Sequence, residues 1–159
     1  PLFGYVGGAT IKNLNVYGTQ IAGYGLINHF DELDENAADK GVSISGITLK
    51  SGSSTLKSGL LGSEFTTNPY AGSTRSSEAH ISGCTIESGV VIGYNGDQNY
   101  IGSIAGRMQG SITGCTSNAT VKGVNYVGGI LGSRDNGLGT CSISGCSFGG
   151  SKGAKGSKL

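Results

Sequence analysis

Few side chains in this sequence can do chemistry, and their spacing limits what they can do. Histidine occurs only at His29 and His80. Neither belongs to the helical His-Glu-x-x-His arrangement that holds zinc in metallopeptidases, so that chemistry is not encoded. Each reads as a surface residue beside a loop. Five of the ten acidic residues crowd together at Asp31, Glu32, Asp34, Glu35 and Asp39. Such a cluster can offer several oxygens to Ca2+, but it lacks the EF-hand order and its central glycine. The Gly-Gly-x-Gly-x-Asp pattern of calcium-binding β-rolls is absent too. The segment therefore reads first as a solvated acidic loop, with Ca2+ as the lesser alternative and no other cofactor implied.

The remaining candidates fare similarly. Gly137-Leu-Gly139 is followed by neither a third spaced glycine nor a Walker lysine, so it is not a phosphate loop. Polysaccharide lyases and hydrolases need two carboxylates, or a base with Lys or Arg, stacked on one face. Lys12, Lys50 and Glu87 read as scattered instead. Three of the four cysteines, Cys84, Cys115 and Cys146, recur at intervals of 31 residues. No Cys-x-x-Cys pair accompanies them, which argues against metal ligation. A buried free cysteine packs as a small hydrophobe. Adjacent strands also stand close enough for a Cys115–Cys146 or Cys141–Cys146 bridge, so a disulfide stays open as an alternative. The expectation is a segment without catalytic activity. Asn118-Ala-Thr120 is a glycosylation sequon only in a eukaryotic secretory host.

The elements that position these residues follow from repetition. Glycine supplies 31 of 159 residues, against an average of about 7%. Glycine has no strict three-residue period and proline occurs twice, which excludes collagen. A net charge of +1 with 36% apolar residues excludes ordinary disorder and gives no basic surplus for nucleic acid. So much glycine also opposes a helical bundle. No run of 18 apolar residues exists, so membrane insertion is not expected.

One phrase recurs five times: Ile11-Lys-Asn-Leu-Asn-Val16, Ile44-Ser-Gly-Ile-Thr-Leu49, Ile81-Ser-Gly-Cys-Thr-Ile86, Ile112-Thr-Gly-Cys-Thr-Ser117 and Ile143-Ser-Gly-Cys-Ser-Phe148. Its starts are 33, 37, 31 and 31 residues apart. Positions four to six alternate as a strand does, after a bend near position three. The fourth column, Leu14, Ile47, Cys84, Cys115 and Cys146, should point into a core. The fifth, Asn15, Thr48, Thr85, Thr116 and Ser147, should point outward. One broken hydroxyl column is too little for the paired threonine ranks of an ice-binding face. A second phrase ends at Gly4, Asn28, Gly62, Gly106 and Gly132. The exchange of Gly for Asn there predicts a corner column with left-handed backbone.

A repeat of about 31 residues with short strands predicts an all-β parallel β-helix, or β-solenoid, of about 4–5 coils. Right-handed crossovers are the rule for parallel strands. An antiparallel sandwich is the rival, but it has no reason to repeat one phrase in one column. The repeats fill residues 1–150, and residues 151–159 read as a flexible Gly/Ser/Lys tail. The start at Pro1 and the lack of a visible capping helix suggest an excised segment of a longer protein, or else caps formed by the loops. Insertions gather on one edge, which is often the binding side. They bring together Asp31 to Val42 (where a short helix is expected), Ser63 to Ala79 with Tyr70 and Arg75, and Ser133 to Thr140 with Arg134 and Asp135.

Leu2-Phe-Gly-Tyr-Val-Gly-Gly-Ala-Thr-Ile-Lys-Asn-Leu-Asn-Val16, Asn125-Tyr-Val-Gly-Gly-Ile-Leu-Gly132 and the recurring Ile-x-Gly-Cys-Thr resemble the GLUG-motif repeats. These occur in large secreted and cell-wall bacterial proteins, including the region beside IgA1-cleaving peptidases. The resemblance implies a parallel β-helix at the bacterial surface, an adhesin or spacer whose partner is a host glycan or protein. It carries over no catalytic residues. The alternative is an accessory domain of a larger secreted peptidase or carbohydrate-active enzyme, with flanking domains of the same polypeptide as partners.

Overall fold

A computed structural model describes residues 1–6, 8–19, 21, 25–30, 41–62, 78–134 and 140–153. Among these, every regular element is a strand and all strand pairings are parallel. The helix expected within 31–39 lies outside the described residues.

The first phrase builds two sheets. Its leading half forms Ala9–Lys12, Gly41–Ser45, Glu78–Ser82, Gly110–Thr113 and Cys141–Ser144, paired in that order. Ile11, Ile44, Ile81, Ile112 and Ile143 face one another across all five strands. Its trailing half forms Asn15–Val16, Thr48–Leu49, Thr85–Ile86, Thr116–Ser117 and Ser147–Phe148, again in register. Each strand thus pairs with the equivalent strand of the next repeat. The second phrase stacks likewise, Phe3 on Ile27, Ile27 on Leu61, Leu61 on Ala105 and Ala105 on Leu131. A further sheet joins Ser54–Thr55, Val91–Ile92, Thr120–Lys122 and Ser151–Gly153. The fifth repeat therefore continues through Gly153, three residues beyond the boundary expected at 150.

The inward side chains of these sheets form one apolar cluster. Ile44, Ile47, Leu49, Leu60, Ile86, Ile92 and Ile104 have no exposed surface. In the fourth column Ile47, Cys84 and Cys115 are buried, while Leu14 and Cys146 at the two ends are half-buried against the cluster. In the isoleucine column Ile112 has no exposed surface and Ile143 is 48% exposed.

The left-handed residues lie elsewhere than expected. The column that repeats in all five copies is Asn13, Gly46, Gly83, Gly114 and Gly145, at φ of 58°, 60°, 57°, 61° and 60°. This is the third position of the first phrase, the bend between its two strands. A left-handed backbone brings Cβ against the carbonyl of a non-glycine residue, and Asn tolerates this best, so Asn13 replaces Gly. The expected column of Gly4, Asn28, Gly62, Gly106 and Gly132 is corrected. Gly4, Asn28, Gly106 and Gly132 sit inside extended strands, and none of the four glycines has positive φ. At Gly132 smallness answers to space, whereas a Cβ at Gly4 would meet nothing within 4 Å. A Cβ at Gly132 would come within 2.6 Å of the Gly106 carbonyl and 2.7 Å of the Ile101 nitrogen.

Two glycines separate conformation from crowding. At Gly83 a Cβ meets nothing within 4 Å, so only its φ resists substitution. At Gly110, φ is 110° and a Cβ would lie 2.0 Å from the Ala79 carbonyl. In urea denaturation, Gly83→Ala should cost about 1–2 kcal/mol. Gly110→Ala should cost at least about 3 kcal/mol, and Asn13→Gly should be neutral or stabilising. Equal losses for the two alanine variants would contradict this account.

Candidate functional site

The register creates more polar surface than one column. Outward on the leading sheet run Thr10, Ser43, His80, Ser111 and Ser142, and beside them Lys12, Ser45, Ser82, Thr113 and Ser144. The trailing sheet adds Asn15, Thr48, Thr85, Thr116 and Ser147. Only the last was recognised in the sequence. The other two were legible as the residues flanking each repeat isoleucine.

His80 interrupts the first column, and the site forms around it. Its Nδ1 lies 2.9 Å from the Ser111 hydroxyl in the next repeat. Its Nε2 lies 3.8 Å from Oε2 of Glu78, two residues back on the same face. Glu78 pairs with Gly41. Gly8 and Gly41 carry no side chain, so a groove of about 310 Å³ opens over them, flanked by Thr10, Ser43, Glu78 and His80. At Gly41 even a methyl group would strike the Glu78 carbonyl, at 2.1 Å. The groove is thus built by glycines in two repeats and bounded by a carboxylate and an imidazole in the third.

Ser111, His80 and Glu78 follow the order of a nucleophile, base and orienting acid. Activation of a serine needs the base held by the acid within hydrogen-bond reach. Here that separation is 3.8 Å, and the imidazole and carboxylate side chains are 59% and 39% exposed. The neighbouring Gly110 N–H donates to Thr140 O within the sheet at 2.8 Å. At 3.8 Å the carboxylate therefore does not hydrogen-bond the imidazole in this arrangement.

Gly41, Glu78 and Thr140 are the first described residues after 31–40, 63–77 and 135–139. Of the insertions expected at Asp31 to Val42, Ser63 to Ala79 and Ser133 to Thr140, Gly41 and Val42, Glu78 and Ala79, and Ser133 and Arg134 lie instead in strands. Gly41 pairs with Glu78, and Thr140 accepts a bond from Gly110. The insertions therefore rejoin the sheet along one edge, beside the groove. Asp31, Glu32, Asp34, Glu35, Asp39, Tyr70, Arg75 and Asp135 lie outside the described residues, and the Ca2+ reading with them. Arg134 closes the strand Leu131–Arg134, is exposed, and pairs in register with Met108. Among the described residues no three His, Cys, Asp or Glu gather as a metal site, and no helix is long and apolar enough to cross a membrane.

Lys50 and Glu87, scattered in sequence, meet across adjacent repeats at 2.7 Å, and Glu87 also accepts the Ser51 N–H at 2.9 Å. The hydrogen bond from Lys50 holds the Glu87 carboxyl below its ordinary range, and Glu87 holds Lys50 above its own. The cysteines are all free thiols. Backbone N–H groups of Cys84 and Cys115 each donate to the sulfur of the next cysteine in the column, at 3.4 Å. The hydrogen bond with Cys84, and then burial, push the Cys115 thiol well above its ordinary range.

Comparison with family models, curated proteins and solved structures returns no match.

Two outcomes follow from these contacts. Cys84 and Cys115 are buried while Cys141 and Cys146 are half-buried, so native alkylation should reach Cys141 and Cys146 first. Cys84 and Cys115 should label only in denaturant. Mass mapping that finds Cys115 modified in the folded protein contradicts this. Because Glu87 is depressed, its contribution is present at neutral pH and fades as pH falls through the range below its ordinary value of 4.5. Glu87→Gln should lower the melting temperature slightly at pH 7. The gap should close at acid pH and in about 1 M salt.

Proposed function

We propose that the stacked repeats are the coils of a right-handed parallel β-helix of about 4–5 turns. In this reading the chain is a non-catalytic module of an extracellular bacterial surface protein. It acts as an adhesive or spacing element whose partner is a host glycan or protein. The in-register pairing of five repeats supports the architecture. It also agrees with the resemblance to GLUG-motif repeats.

The observation that carries the binding part is the position of the groove. A polar cleft bounded by Glu78, His80, Thr10 and Ser43 lies on the edge where the long insertions rejoin the sheet. Loops on a rigid scaffold are where recognition residues concentrate. Hydroxyl, imidazole and carboxylate groups match the donors and acceptors of a polar partner, and the sheet holds them at fixed spacing.

The test is a glycan and host-protein array probed with the full chain. A Glu78→Gln/His80→Gln variant and one with residues 32–39 and 64–76 replaced by short Gly-Ser links serve as comparisons. A ligand lost in both variants, with strand content unchanged by circular dichroism, is the expected result. An array with no ligand, or binding that survives both changes, overturns the adhesive reading. A catalytic domain in the same reading frame would favour an accessory role beside an enzyme.

A further inference from the structure

A second surface stands apart from the groove, at the turn preceding Ile101–Gly102 and its partner Val127–Gly128. Tyr100 and Tyr126 hold φ of 57° and 54°. A left-handed backbone at a bulky residue is an outlier, and here it occurs at equivalent positions of adjacent repeats. Glycine would meet the backbone requirement without strain, as it does at Gly83 and Gly114. The fold alone therefore does not ask for tyrosine.

The conformation places the two rings face to face, with centroids 4.8 Å apart and planes within 5°. The Arg107 guanidinium lies over the Tyr100 ring, 5.3 Å from its centroid. Beside the rings, the Asn125 amide donates to the Asn99 side-chain oxygen at 3.0 Å. Backbone bonds from Tyr100 N to Asn125 O and from Ile101 N to Tyr126 O, both 3.0 Å, lock the two turns together. One face of Tyr126 is covered by Tyr100, yet the residue is 61% exposed, so its other face is bare. The arrangement is a rigid aromatic plate with exposed amide groups at its rim.

We propose that Tyr126, with Asn125 and Asn99 at its rim, is a binding site for a pyranose ring of a β-linked oligosaccharide. The apolar C–H face of an all-equatorial sugar stacks on an aromatic face, and amides take both donor and acceptor roles toward its hydroxyls. Tyr100 and Arg107 support the plate from behind, so little side-chain freedom is lost on binding. The site is independent of the Glu78/His80 groove. It survives failure of that reading, because its residues lie in a different turn.

The experiment is calorimetric titration of the full chain with cellohexaose and chitohexaose at millimolar concentration. At least one should bind, and Tyr126→Phe, which keeps the ring, should bind within a factor of about three of the original. Tyr126→Gly relieves the left-handed backbone, so it should fold at least as well while binding at least tenfold more weakly. Asn125→Ala should weaken binding, and Glu78→Gln/His80→Gln should leave it unchanged. Failure of both sugars to bind, or equal binding by Tyr126→Gly, overturns the proposal. So does concentration-dependent self-association abolished by Tyr126→Gly, which would make a second copy the occupant of the plate.

Discussion

Parallel pairing in strict register is the constraint from which the rest follows. Each residue of the leading sheet hydrogen-bonds to rows holding its own equivalents in the neighbouring repeats, about 4.8 Å away. A side chain must therefore pack against copies of its own column. Isoleucine stacks on isoleucine, serine and threonine hydroxyls run in files, and three thiols line up at Cys84, Cys115 and Cys146. The bend between the two halves of the phrase must recur at the same height in each repeat. A single left-handed residue supplies it, and that accounts for four glycines and one asparagine.

This regularity explains why so much was legible in the sequence. The five copies of the first phrase predicted parallel stacking and the inward fourth column, because a column that tolerates Leu, Ile and Cys but nothing polar is an apolar one. The location of the left-handed turn was not legible in the same way. Gly and Asn alternate in two columns, at Asn13 and at Asn28, and only backbone geometry separates a glycine needed for φ from one needed for space. Gly132 is of the second kind. Lys50 and Glu87 looked scattered because 37 residues part them, whereas the register makes them neighbours.

Candidate sites arise where a column breaks its own rule. Glu78 stands in line with Gly41, and His80 stands in a file of hydroxyls. These two exceptions bound the groove. The tyrosines at 100 and 126 occupy a backbone conformation that glycine fills elsewhere. A lone histidine in the sequence was read as surface decoration, since its hydroxyl and carboxylate neighbours come from another repeat and from two residues upstream. The insertions that were expected to carry recognition return beside the first of these exceptions.

The row-by-row pairing along the isoleucine column bears on how the chain folds. Every pairing closes a loop of similar length, so adding one more row costs nearly the same chain entropy wherever it is added. No pair of rows is privileged as a starting point, and assembly can begin between any two and spread as a zipper does. Opening is less even-handed. Ile44, Ile81 and Ile112 are each sealed between two rows. Opening should be rarest in rows flanked on both sides, so the thiols at Cys84 and Cys115 should be among the last groups to meet water.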